Sequence, residues 1–262
     1  MKRIIAFIIV ALFLFTGMVQ AQTMATMRAN KEATLDVVTF FDDFLSFRHF
    51  IDSTGTGIGD NDFYDFGWIV TMVGSSQDTS VQIIDEMNGI LKLTPAASDN
   101  DGAGFQWNAE IFDCDTNVTT GYRGWTVGMD VKLGEATESD FMGGLSITDT
   151  DLTDGSSDGV WFYKTDAQDT IFCTVVKNTV GDTTQTNSVF VDSVWNRFDI
   201  DFNGRNRITF RIDNVVVATH TSTAYFPNDE ELTPTFGFWN GQSVAEVFWI
   251  DWYYSQQVRK EH

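Results

Sequence analysis

Residues 195–254 constrain this chain more than any other stretch. Phe198, Ile200 and Phe202 alternate with Asp199, Asp201 and Asn203, and Ile208, Phe210 and Ile212 alternate with Arg207, Thr209 and Arg211. A repeat of two puts one apolar and one polar face on each segment, the pattern of half-buried antiparallel strands. Asn203-Gly204 and Asp213-Asn214 supply residues that tolerate positive φ at the turns between them. Val215–Val217 begins a further strand, and Val247–Tyr254 closes the stretch with alternating aromatics. The segment therefore predicts half of a β-sandwich with which the rest of the chain pairs.

The same period recurs upstream. Trp125, Val127, Met129, Val131 and Leu133 alternate with Thr126, Gly128, Asp130 and Lys132, and Tyr64, Phe66 and Trp68 share a face. Short strands are also predicted over 89–94, 105–112, 141–148, 160–164, 170–177 and 189–191, separated by Gly- and Asp-rich turns. No apolar stripe of helical period appears outside the N-terminal leader. A dozen or more short strands with turn signals between them predict an all-β sandwich or barrel, and the half-sandwich of residues 195–254 favours the two-sheet antiparallel sandwich.

Lys2-Arg3, an apolar run from Ile4 to Gly17 and Val19-Gln20-Ala21 form the pattern of a secretory signal peptide over residues 1–21. The run is shorter than the roughly 20 apolar residues a bilayer-spanning helix needs. The expected organisation is a leader (1–21), an arm or linker (22–34) and one sandwich domain (35–262), placed in the periplasm or outside the cell.

The net charge of −21 is repelled by phosphate backbones and by anionic lipid. It excludes a nucleic-acid binder and disfavours membrane attachment after leader removal. The two cysteines, Cys114 and Cys173, either pair in an oxidising compartment or remain buried thiols. Three scattered histidines offer no zinc spacing.

No nucleophile elbow, P-loop, H-E-x-x-H or dinucleotide fingerprint is present. Asp149, Asp151 and Asp154, followed by Gly155, could wrap a hard cation such as calcium, although the spacing is not that of an EF-hand. Trp107, Trp161, Tyr163, Trp239 and Trp252 are candidate platforms for sugar rings, against the alternative that they are core.

The closing strand Val247–Tyr254 resembles that of the concanavalin A-like lectin/glucanase fold, a jelly roll. In the laminarinase-type hydrolases of that fold one strand carries E-x-D-x-x-E. Here Glu138 and Asp140 are followed by Gly143, so the resemblance leaves the third acid missing and implies no enzyme. The fold also implies that Asp251 could join the Asp42 region around a structural calcium. A tighter resemblance runs through Ser139–Thr150, Ser157–Lys164, Phe226–Pro234, Trp239–Ala245 and Ile250–Arg259, with Ser98–Gly102 fitting as well. These phrases are similar to virion structural proteins of tailed bacteriophages, of the capsid-decoration kind. That resemblance implies a non-enzymatic sandwich displayed on a particle, contacting a protein lattice and host-surface polysaccharide. The leader departs from it, because virion parts assemble without export. Either Met24 or Met27 is the start, or a cell exports a relative of the module. A secreted carbohydrate-binding module is the alternative, and a laminarinase-like hydrolase the third.

Overall fold

The computed structural model describes residues 35–44, 50–51, 63–65, 67–74, 79–84, 89–116, 124–153 and 155–260. The predicted leader (1–21) and arm (22–34) lie outside the described residues. No helix among those described is long and apolar enough to cross a membrane.

Seventeen strands are described. They are β1 (Leu35–Asp42), β2 (Phe50–Ile51), β3 (Phe63–Asp65), β4 (Trp68–Val73), β5 (Ser80–Ile84), β6 (Ile90–Thr94), β7 (Gly102–Trp107), β8 (Trp125–Leu133) and β9 (Ser139–Ser146). There follow β10 (Gly159–Lys164), β11 (Thr170–Lys177), β12 (Val180–Val189), β13 (Trp195–Phe202), β14 (Ile208–Ile212), β15 (Val215–His220), β16 (Thr233–Asn240) and β17 (Phe248–Lys260). All named pairings are antiparallel, in two sheets. One has the order β15-β14-β13-β8-β17-β6-β5-β2, with β1 also on β17; the other has the order β12-β11-β10-β9-β16-β7-β4-β3. Along β17, Phe248–Ile250 meets β6 and Tyr253–Lys260 meets β1, with a register shift at Asp251.

Alternation explains the core. Phe198, Ile200 and Phe202 of β13, Val127, Met129 and Val131 of β8, and Phe236 and Phe238 of β16 turn inward, and all are buried. Phe105 and Phe236 stack with ring centroids 4.5 Å apart, and Phe162 meets Phe198 edge-on at 4.8 Å. Such aromatic pairs add about 0.5–1.5 kcal/mol each beyond the area they bury. Tyr253 of β17 donates its hydroxyl across the sandwich to the Gly144 carbonyl of β9, tying the closing strand to the opposite sheet.

The 195–254 stretch does not stay in one sheet as expected. Its β13, β14, β15 and β17 join the nine-stranded sheet, whereas β16 lies in the centre of the other, between β9 and β7. At Asn203-Gly204 the turn is wider than a two-residue hairpin: Asn203 Oδ1 accepts the N–H groups of Arg205, Asn206 and Arg207. Asp213-Asn214 is the tight turn predicted, with φ of +51° and +65°.

The disulfide alternative is not what the structure shows. Cys114 and Cys173 are both buried and free. Cys173 sits on the inner face of β11, opposite Phe162 and Thr184, while Cys114 lies in the same core. Each occupies the core as a small apolar side chain, and burial pushes both thiols well above their ordinary range.

Candidate functional site

The outer face of the eight-stranded sheet carries few charges and many glycines and aromatics. Inward Phe141, Gly143 and Leu145 of β9 leave Asp140, Met142, Gly144 and Ser146 outside. Cross-strand register then sets the rows. Thr183, Thr174, Trp161, Gly144, Thr235 and Gln106 lie side by side across six strands. The next row runs Gln185, Phe172, Tyr163, Met142, Gly237 and Gly104. Asp140, Trp239 and Gly102 begin a third.

The glycines make room for the indoles. A Cβ on Gly102 would come within 2.5 Å of Trp239 Cδ1, and one on Gly237 within 2.8 Å of Trp239 Cζ2. A Cβ on Gly144 would come within 2.7 Å of Trp161 Cα, and one on Gly159 within 2.7 Å of Trp161 Cζ3. Both indoles therefore lie down on bare backbone. Their exposures of 5% (Trp161) and 2% (Trp239) make them floor rather than projecting platforms. Tyr163, half-buried, stacks on Phe172 with centroids 5.0 Å apart and planes at 14°.

The β9–β10 connection folds back over this face. Leu152 packs with Met142, Trp161 and Trp239 in a small apolar cluster separate from the main core. The loop is shaped by its carboxylates: Asp149 Oδ1 accepts the Asp151 N–H at 3.1 Å, and Asp151 Oδ1 accepts the Thr153 N–H at 3.0 Å. Gln106 holds its base, accepting the Asp149 N–H and donating to Ser146, Thr235 and the Ile147 carbonyl. Between loop and sheet is a cleft of about 690 Å³, lined by Trp161, Tyr163, Trp239, Asn100, Asp140, Lys164 and Asp166 among others. That volume is in the range of small-ligand sites.

One end of the cleft is charged. Asp140 Oδ1 accepts the Asp166 N–H at 2.7 Å. Burial pushes the Asp140 carboxyl up to about 6; the Asp166 N–H draws it back, the Asp166 charge raises it, and Lys164 lowers it. Lys164 is buried, its ammonium donating to the carbonyls of Thr137, Ser139 and Thr165, and burial lowers it to about 8.

Of the candidate platforms, Trp161, Tyr163 and Trp239 share this cleft. Trp107 does not: it has the inward parity of β7 and packs on Phe40 at 4.4 Å and Trp68 at 5.8 Å in the core. Trp252 lies on the other sheet, with the Arg197 guanidinium 5.4 Å from its ring. Of the acids, Asp140 reaches the cleft, whereas Glu138 precedes β9 and does not line it. A Cβ at Gly143 would point into the core, 2.5 Å from Met129 Sδ and 2.9 Å from Phe141 Cζ. β9 runs without a bulge against both neighbours, so nothing brings position 143 round to the outer face. The three positions of the hydrolase pattern are not gathered.

The calcium candidates are dispersed. Asp42 Oδ1 accepts the Phe44 N–H and Oδ2 the Trp68 indole N–H, each at 2.7 Å. Asp251 is instead a neighbour of Asp130, whose carboxyl is raised to about 6 by burial first and by Asp251 next. Asp149 and Asp151 serve backbone N–H groups, and Asp154 lies outside the described residues. Among the described residues no three His, Cys, Asp or Glu side chains gather as a metal site. Lys164, Asp166, Leu152 and Asn100 were not anticipated as site residues; only the Asp166–Asp169 turn after an aromatic strand hinted at one of them.

No protein-family model matches the chain, and no curated protein matches it. Solved structures do. A protein of unknown function from Shewanella oneidensis MR-1 superposes with a TM-score of 0.56 at 16% identity, over 89% of this chain and 91% of that one. The GH16 protein of the Bacteroides ovatus mixed linkage glucan PUL, in complex with its product, gives 0.52 at 13% identity, over 82% and 98%. The Emp46p carbohydrate recognition domain in its potassium-bound form gives 0.49 at 12%, over 74% and 88%. At these identities the likeness concerns architecture. The described chain is a two-sheet antiparallel β-sandwich of the concanavalin A-like, jelly-roll kind.

Proposed function

We propose that this protein is a non-enzymatic carbohydrate-binding β-sandwich whose glycan site is the cleft beneath the β9–β10 loop. The observation that carries the reading is that Trp161, Tyr163 and Trp239, on two different strands, line one cleft with Asn100, Asp140 and Asp166. Flat apolar rings beside a few carboxylate and amide groups suit sugars, which present C–H faces and hydroxyl edges. The Bacteroides ovatus structure, solved with its product, supports a saccharide ligand for a sandwich of this architecture. A glycan array followed by calorimetric titration tests the reading. Wild type should retain at least one glycan class, and Tyr163→Ala should weaken it about ten-fold, as for a hot-spot aromatic, without a large loss of stability. Absence of binding to every glycan class would sink it.

A second reading concerns where the module is displayed. Of the phrases resembling phage decoration proteins, Ser139–Thr150, Ser157–Lys164 and Trp239–Ala245 cover β9, β10 and the end of β16, which build this cleft, whereas Ile250–Arg259 lies on β17 in the other sheet. Under that reading the sandwich sits in many copies on a virion or an exporting cell, with the cleft outward. Copurification with particles at stoichiometric copy number supports it; recovery only as free protein in the periplasm or medium refutes it.

A further inference from the structure

Building on the glycan-site reading, we infer that the saccharide this cleft takes carries free amino groups, with an ammonium-bearing hexosamine unit seated against Asp140 and Asp166. The charged residues among the described cleft lining are Asp140, Asp166 and Lys164. Lys164 offers a ligand nothing: an ammonium has three donors, and its three are directed at the carbonyls of Thr137, Ser139 and Thr165. It is also 1% exposed. The two acids are in the opposite condition. Asp140 uses Oδ1 for the Asp166 N–H, and its other oxygen meets no donor among the described residues. The exposed Asp166 carboxylate accepts no hydrogen bond from the described residues.

The raised Asp140 pKa fits this picture: burial is the largest cause, and Asp166 and Asp99 add repulsion that Lys164 does not offset. A carboxylate in this state gains most from a cation that also donates hydrogen bonds. Aromatic faces in the same cleft add attraction for an ammonium through their negative π-clouds. The indole N–H of Trp239, a residue that lines the cleft, is buried with no acceptor among the described residues. Uronate, sialate or sulfate groups would face two acids and no available cation, in a protein of net charge −21.

The experiment titrates wild type, Asp140→Asn and Glu231→Gln with three probes at about pH 6.5, just above the Asp140 value. The probes are an oligomer of β-1,4-linked glucosamine, the same oligomer fully N-acetylated, and an oligogalacturonate. Wild type should bind the free-amine oligomer about ten-fold tighter than the N-acetylated one and the oligogalacturonate weakest. Asp140→Asn should abolish the difference while keeping affinity for the N-acetylated oligomer; Glu231→Gln, outside the cleft lining, should keep the difference. Equal affinity for the amine and N-acetyl forms, or equal losses in both variants, overturns the inference and leaves the glycan reading standing. Tighter binding of the oligogalacturonate also overturns it. No binding of these probes or of any neutral glycan overturns both.

Discussion

Gly237→Ala should damage both the cleft and the fold, and the size of the effect follows from where the new methyl would go. It would lie 2.8 Å from Trp239 Cζ2, 3.0 Å from Cζ3 and closer still to Cη2. Unstrained carbon atoms sit about 3.5–4.0 Å apart, so the indole must shift by roughly 1 Å. Its other edge lies over Gly102, and Leu152 and Met142 pack on it, so the ring must lift against that small cluster. Overpacking of this kind costs about 1–3 kcal/mol. For a domain of this size that is a fall in Tm of roughly 2–12 °C. Thermal unfolding followed by near-ultraviolet circular dichroism reads both the stability and the indole environment. Because the lifted ring narrows the cleft, glycan affinity should fall too. Combining Gly237→Ala with Trp239→Leu should recover part of the Tm relative to the sum of the single changes, since the clash is removed with the ring. A Tm within 1 °C of wild type, with unchanged affinity, would show that the glycine floor does not seat Trp239.

Three further outcomes are expected. Asp140 faces Asp166, Lys164 and Asp99, and its folded pKa of about 6 lies above the ordinary carboxylate value. The native state therefore binds the extra proton between about pH 4 and 6, and this residue's contribution to stability declines as pH rises through that window. Asp140→Asn should gain in Tm relative to wild type from pH 4 to pH 7, by on the order of 1 kcal/mol after allowing for partial solvent screening; a constant difference contradicts the assignment. Iodoacetamide should label neither cysteine in the native protein and both after unfolding without reductant, read by mass; a mass shift that requires reductant would restore the Cys114–Cys173 bridge. Calcium or a chelator should leave Tm within 1 °C, because Asp42, Asp149 and Asp151 serve N–H donors; a larger rise with calcium would mean the loop containing Asp154 gathers the ion.

The period-two runs made most strands legible, because side-chain alternation is a local property of extended backbone. β12 escaped: Val180–Val189 is an edge strand, half of it Thr, Asn and Gln, with only Thr186 buried, so no apolar face marks it. β16 escaped as well. All eight of its residues are buried, with Pro234 and Gly237 inside, and a strand covered on both faces does not alternate. Trp107, Trp161 and Trp239 looked equivalent as residues. Only the parity of their strands sends the first into the core and the other two to the outer face.

From the sequence alone came the class of fold and the aromatic supply for its core. Those are properties of residue type and short-range spacing. Which strands lie side by side was decided by tertiary structure. β9 pairs with β10 on one side and with β16, nearly a hundred residues later, on the other. That pairing brings Asp140, Trp161, Tyr163 and Trp239 to one cleft and lays the indoles over Gly102, Gly159 and Gly237. A side chain's face is set by its own strand, but its neighbours are set by long-range hydrogen bonding that leaves no local trace.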